Sequence, residues 1–391
     1  MSLRVSLEPP RDPNSPLASE RAPLPLLNAH GAAVVLGART ASGAPVEPLA
    51  PEAHTLFGPR GACLVHPSGP LLVCDTGHHR VLVWRKTPTE DHTPADFVIG
   101  QPDLRSEGRN ARAAIDAASV NVPTAVASGN GVVAVADAWN HRVLLWHATP
   151  QRANQRADVV LGQEDFSSAY ANRGLSTPRA DTLNWCYGVT IHNGELFVAD
   201  TGNRRVLWWE RIPERNGAPA DLVLGQADFT TRDMQMRWPH AIAAIDARWF
   251  VADAGASRVL AYSRPPGDAA SCELAGVLGQ SDLDAVEHNR SSYYPTAATM
   301  NMPYGVTVLG DRLVVADTAN SRLLGFELED LTTGVPAKYL SGQLSFADKG
   351  ENRWQPMGRD TVCWPYSVAA CERTLVVADS GNNRVLLWGA Q

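Results

Sequence analysis

The sequence predicts an all-β fold, a six-bladed β-propeller whose blades are four-stranded antiparallel sheets. Three observations predict it. A strand–corner–strand unit recurs six times, as VCDTGHHRVLVW, VADAWNHRVLLW, VADTGNRRVLWW, VADAGASRVLAY, VADTANSRLLGF and VADSGNNRVLLW. The strand after each corner is apolar at nearly every position, so it must be covered on both faces, as stacked blades cover it. The last unit ends at Trp388 without an outer strand, and the missing strand stands at the other end of the chain as Val34-Val35-Leu36-Gly37.

Residues 1–32 are rich in proline and charge and carry no strand pattern, so they are expected to form a disordered arm. They have no continuous apolar core of the kind a secretory signal needs. Residues 33–391 then form a single propeller domain. Its first strand matches the outer-strand ends at Ile99-Gly100, Leu161-Gly162, Leu224-Gly225, Leu278-Gly279 and Ser341-Gly342. It should complete the last blade and close the ring, which removes an exposed sheet edge.

The third unit shows how each blade is built. YGVTI is followed by the turn HNGE, the strand LFVAD, the corner TGNR, the strand RVLWW, a Pro/Gly-containing connection and DLVLGQ. The corner aspartates are Asp75, Asp137, Asp200, Asp253, Asp317 and Asp379, each with an arginine five residues on (Arg80, Arg142, Arg205, Arg258, Arg322, Arg384). A residue that every blade needs is needed by the blade. The carboxylate caps the turn, and the guanidinium pairs with it or with a neighbour.

Composition removes several function classes. The net charge of -7 argues against a nonspecific nucleic-acid binder. No apolar run approaches the roughly 20 residues that span a bilayer. The six cysteines form no CxxC pair and do not follow the repeat, which fits reduced thiols in the cytoplasm. No GxSxG, HExxH or phosphate-loop motif occurs.

The corner D-[TAS]-x-N-x-R-V, with its aromatic-ended strand and the VLGQxDF strand ends, resembles the NHL repeat, over about residues 33–388. The resemblance implies a six-bladed propeller. It does not imply one function, because similar proteins include RNA-binding and protein-interaction modules, a peptide-amidating lyase and sensor domains.

Function is sought where the repeats differ. The connections into the inner strands span 22, 23, 24, 14, 24 and 23 residues, so the short one, ahead of blade 4, should leave a notch in the rim of one face, here the top. Several rim connections carry an Asn-Arg pair, Asn172-Arg173, Asn289-Arg290 and Asn352-Arg353, with Arg109-Asn110 reversed. These pairs fold the loops or face a ligand.

Aligning the starts of the inner strands gives one ring at the channel mouth: Arg60, Thr124, Tyr187, His240, Tyr304 and Tyr366. Two residues earlier stand Gly58, Val122, Trp185, Trp238, Met302 and Trp364. Aromatics with a few polar tips suit a ligand or peptide; the same residues would also serve to plug the axis. The candidate ligand-binding set is therefore Arg60, Thr124, Trp185, Tyr187, Trp238, His240, Tyr304, Trp364 and Tyr366. Trp238 and His240, beside the notch, are expected to be the least screened.

The ring holds no carboxylate for calcium and one histidine for zinc, so no metal and no cofactor is expected. His78, His79 and His141 in the first two corners are a lesser zinc candidate. Cys186 and Cys363 flank the mouth on opposite blades, too far apart to bridge. The expected function is a noncatalytic binding or scaffold module that recognises a protein partner, a peptide or a small anionic ligand. Two alternatives stay open: a metal-independent enzyme using the Arg/His/Tyr mouth, and an RNA-binding propeller, although nucleic acid fits the acidic charge poorly.

Overall fold

The computed structural model of the chain describes residues 22–37, 50–264 and 272–391. The described strands form six sheets, in the order the repeats predict. Blade 1, for example, comprises Gly61–Leu64, Leu71–Asp75, Arg80–Trp84 and Phe97–Ile99, each antiparallel to the next. The ring closes as expected. Val34, Val35 and Leu36 pair antiparallel with Leu387, Leu386 and Val385 of the last blade.

The apolar residues divide into six clusters, and each spans two neighbouring blades. Between blades 2 and 3, Val143 and Leu145 of one blade meet Val198 and Leu196 of the next. Between blades 3 and 4, Phe197 meets Trp249 edge-on, with ring centroids 5.0 Å apart. The core is thus a circle of interfaces, which is why the third strand of each blade is apolar on both faces.

The corners knit the top face. Asp137 accepts from the Asn121 backbone N–H, the Asn140 amide and the Arg142 Nε–H at 2.6, 2.8 and 2.7 Å. Arg142 then donates to the carbonyls of Asp116 and Ser119 in the preceding connection and of Phe166 in the following one. Arg80, Arg205 and Arg322 repeat this bracket. All six corner pairs are buried, at 2.6–3.0 Å. Burial raises the pKa of Asp137, Asp200 and Asp379, while the guanidinium and N–H donors pull it back. The corners are structural, as their recurrence implied.

One expectation needs correction. The sequence predicts a disordered arm over residues 1–32, but residues 22–32 lie against blades 5 and 6. Residues 1–21 lie outside the described residues. Leu24–Pro25 adds a fifth strand to blade 5, running parallel to Tyr339–Ser341. Leu26 and Leu27 are fully buried between blades 5 and 6. Asn28 accepts from the Trp388 indole, and Leu27 bridges Ala390. A two-residue strand leaves no alternation to read, and its leucines are held by surfaces far away in sequence.

Two outcomes follow from this architecture. Deleting residues 1–36 removes the closing strand and its leucines. The truncated chain should aggregate or melt well below the full chain in a thermal scan, and equal stability would contradict ring closure. Asp200→Ala leaves Arg205 buried and unpaired, which should cost about 3–5 kcal/mol of unfolding free energy in urea titration.

Candidate functional site

The mouth ring owes its geometry to a backbone irregularity. In blades 2 to 6 the inner strand shifts register against its partner at one residue, as between Pro239 and Ala241. The residue in that bulge is Thr124, Tyr187, His240, Tyr304 or Tyr366. A bulge re-aims its side chain, here toward the axis. The next position inward is small in every blade (Gly61, Ala125, Gly188, Ala241, Gly305, Ser367). A Cβ on Gly188 would lie 2.2 Å from the His240 carbonyl oxygen, so the glycine is what lets neighbouring inner strands approach.

Five of the six ring residues form one fan of planar groups. Tyr187 stacks on His240 at 4.9 Å and 8°, His240 on Tyr304 at 4.4 Å and Tyr304 on Tyr366 at 4.4 Å. The Arg60 guanidinium lies 4.7 Å from the Tyr366 ring centre and ends the fan. Trp238 stands edge-on to His240 and Tyr304. The sixth residue, Thr124, is buried and donates to the Tyr187 carbonyl. Beneath the ring the channel holds a cavity of about 280 Å³, lined by all six inner strands.

His240 is not the least screened residue of the mouth. It is 4% exposed, because its neighbours' rings cover both of its faces. Its Nδ1–H donates to the Trp238 carbonyl, so Nε2 is left to accept from the Tyr366 hydroxyl, at 3.3 Å. Burial pushes His240 down to about 3. Burial raises Tyr304 and Tyr366, and both stay neutral. No carboxylate among the described residues lies within 4.0 Å of Arg60, so its charge is the one full charge on the ring.

The tryptophans form an outer tier. Trp185, Trp238 and Trp364 are 48%, 38% and 54% exposed. Trp185 and Trp364 hold left-handed backbone, φ 49° in both, as do Val122 and Met302 at equivalent positions. That conformation costs an L-residue about 1–2 kcal/mol. It is held by an acceptor on the preceding blade's corner. His141 Nδ1 accepts from Trp185 N–H, Ser321 Oγ from Trp364 N–H and Asn383 Oδ1 from Gly58 N–H. The His141 ring also lies under the Trp185 indole, at 6.3 Å and 23°.

Sequence reading missed several top-face groups. Trp139 and Trp354 are exposed, with Arg109 over the Trp139 ring. His141 acts as both shelf and acceptor for Trp185. Its signal was its departure from the Arg, Ser or Asn found at that corner position in blades 3 to 6.

The four rim asparagines, and the arginines of three of the pairs, are engaged in folding the loops; Arg109 instead lies over Trp139. Asn172 and Asn203 exchange amide hydrogen bonds, and Asn110–Asn140, Asn289–Asn320 and Asn352–Asn382 repeat the exchange. Arg173 and Arg353 pair with Asp181 and Asp360 and donate to the Gly162 and Gly342 carbonyls. Arg290 donates to Gly279 O.

The corner histidines are similarly engaged. His78 Nδ1 contacts Asp75, and His79 Nδ1 accepts from Val122 N–H. Among the described residues the one acidic or metal-ligand cluster is Glu327, Glu329 and Asp330, and Lys338 pairs with two of the three. Cys186 is buried against the Arg142 carbonyl, and burial pushes Cys363 up to about 12, so neither offers a thiolate at neutral pH.

Residues 58–84 match the family model of the NHL repeat. NHL repeat-containing protein 2 of Gallus gallus is 27% identical over 276 residues, 69% of this chain; the match spans 30% of that relative's length. Among solved structures, a gluconolactonase of Xanthomonas campestris superposes with a TM-score of 0.50 at 11% identity, covering 95% of this chain and 99% of that one. An auxiliary nutrient binding protein of Bacteroides thetaiotaomicron superposes with a TM-score of 0.55 at 9% identity, covering 92% and 76%. At these identities the structural likeness is one of fold.

The neutral histidines make stability sensitive to acid. Burial pushes His141 down to about 4 and His240 to about 3, while an unfolded histidine titrates near 6.5. Their contribution is complete above pH 6.5 and is lost as pH falls toward 4, because the unfolded chain takes up the protons. His141→Asn keeps an acceptor, as Asn383 does in blade 6. In denaturant titrations at pH 7 and 4.5 it should reduce the acid loss by about 1–3 kcal/mol. An unchanged loss would contradict the assignment.

Proposed function

We propose that this chain, a six-bladed propeller of NHL repeats, is a noncatalytic binding module that captures a protein or peptide partner on its top face. NHL propellers commonly serve as protein-interaction modules. The observation that carries the reading is the tier of exposed indoles around the mouth, Trp185, Trp238 and Trp364. Exposed tryptophans beside an arginine are the groups that dominate interface energetics.

The electrostatics of the ring favour binding over acid–base catalysis. A general base works best with a pKa near the working pH. Burial pushes His240 down to about 3, and it pushes Tyr304 and Tyr366 above their ordinary range. RNA binding loses support because Arg173 and Arg353 are spent on loop carboxylates and carbonyls. The cysteines are free thiols, which fits the expected cytoplasmic setting. Among the described residues no helix is long and apolar enough to cross a membrane.

The test compares two double variants. Trp185→Ala/Trp364→Ala should cut partner capture by at least about 30-fold, the equivalent of one interface hot spot. Its melting temperature should stay close to that of the unmodified chain. Arg211→Ala/Arg215→Ala, exposed on the opposite face, should bind normally. Capture lost in the second variant and kept in the first would overturn the reading.

A further inference from the structure

The aromatic fan covers five of the six blade sectors and stops at blade 2. There the ring residue is Thr124, whose hydroxyl is turned to the Tyr187 carbonyl. One face of Tyr187 is covered by His240. No aromatic or cationic group among the described residues stacks on the other, since blade 2 supplies none at this level. On the far side of Thr124 stands Arg60 of blade 1, its guanidinium braced by Tyr366 and without a carboxylate partner among the described residues. The hydroxyls of Tyr187 and Tyr304 make no hydrogen bond to a described residue. The sector thus offers an aromatic face on which no ring or cation of a described residue stacks, spare hydroxyl donors and an unpaired guanidinium, all in the lining of a cavity of about 280 Å³.

We infer that this sector is a binding slot for an aromatic carboxylate, its ring stacked on Tyr187 and its carboxyl group on Arg60. A guanidinium holds a carboxylate by two parallel N–H bonds, and the ring carries no acidic group to compete. The cavity lies near the lower limit of ligand pockets, which confines the occupant to a small acid or one terminal residue of a chain. This rests on the top-face binding reading and names the chemistry that its centre selects. The carboxylate can belong to a free aromatic acid or to a partner chain ending in an aromatic residue.

Calorimetric titration of the full chain separates these sources. The probes are benzoate, benzamide, and a short peptide ending in phenylalanine with its terminus free or amidated. Saturable binding of benzoate, or of the free-terminus peptide, with benzamide and the amidated peptide at least about tenfold weaker, is expected. Benzoate alone would assign a free acid, and the peptide alone a chain terminus. Arg60→Ala should abolish that binding, and Arg60→Lys should weaken it, because an ammonium cannot form the fork. Thr124→Tyr fills the slot and should block binding with Arg60 intact; Tyr187→Leu is the second variant if Thr124→Tyr does not fold. Absence of saturable binding to any probe up to about 10 mM, or equal binding by Arg60→Ala, overturns the inference. If partner capture still depends on Trp185 and Trp364, the binding-module reading survives without the slot.

Discussion

At the head of every blade a carboxylate and a guanidinium face each other with no water between them. Placing both charges there is costly, and such pairs often stabilise a fold no more than apolar residues of the same volume would. What the pair secures is position. One carboxylate oxygen holds the chain entering the blade's inner strand, as Asp137 holds Asn121 N–H. The other orients an arginine whose remaining N–H groups reach carbonyls of two successive connections, Ser119 and Phe166 for Arg142. Each corner therefore fixes where one inner strand begins, and the ring of mouth residues is set by those six starting points.

The same dependence explains where the repeat breaks. A corner asparagine three residues after the aspartate occurs in blades 2, 3, 5 and 6, and each exchanges amide bonds with an asparagine in the preceding connection. Blade 4 has Ala256 there, and its short connection has no rim asparagine to meet. Blade 1 has His78, bonded to Asp75 instead. The corner and its connection vary together because each is the other's hydrogen-bond partner. Where that exchange is missing, beside blade 4, the indole of Trp238 packs edge-on to His240 and closes over the histidine that the shorter loop was expected to expose.

The propeller, its blade count and its closure by residues 34–36 were legible because repetition multiplies a weak signal sixfold. The structural role of the corners was legible for the same reason. The candidate site was legible as a list of residues but not as an arrangement. Strand alternation does not show a bulge, so the stacking of Tyr187, His240, Tyr304 and Tyr366 could not be told from a ring of separate side chains. The burial of Thr124, the shelf that His141 makes for Trp185, and the packing of Leu26 and Leu27 each depend on contacts made once. A single sequence carries no second copy of such contacts to compare.

The central claim is that scaffold and recognition are carried by different residues of the same face: corners hold the ring, and the mouth and its indoles bind. An alanine series across the six corner aspartates and the top-face candidates Arg60, Tyr187, Trp185, Trp238 and Trp364 tests it, with melting temperature and partner affinity measured on every variant. The account predicts two separate groups, corner variants that lose melting temperature and top-face variants that lose affinity at nearly constant melting temperature. A single trend, in which affinity falls only as stability falls, would contradict it.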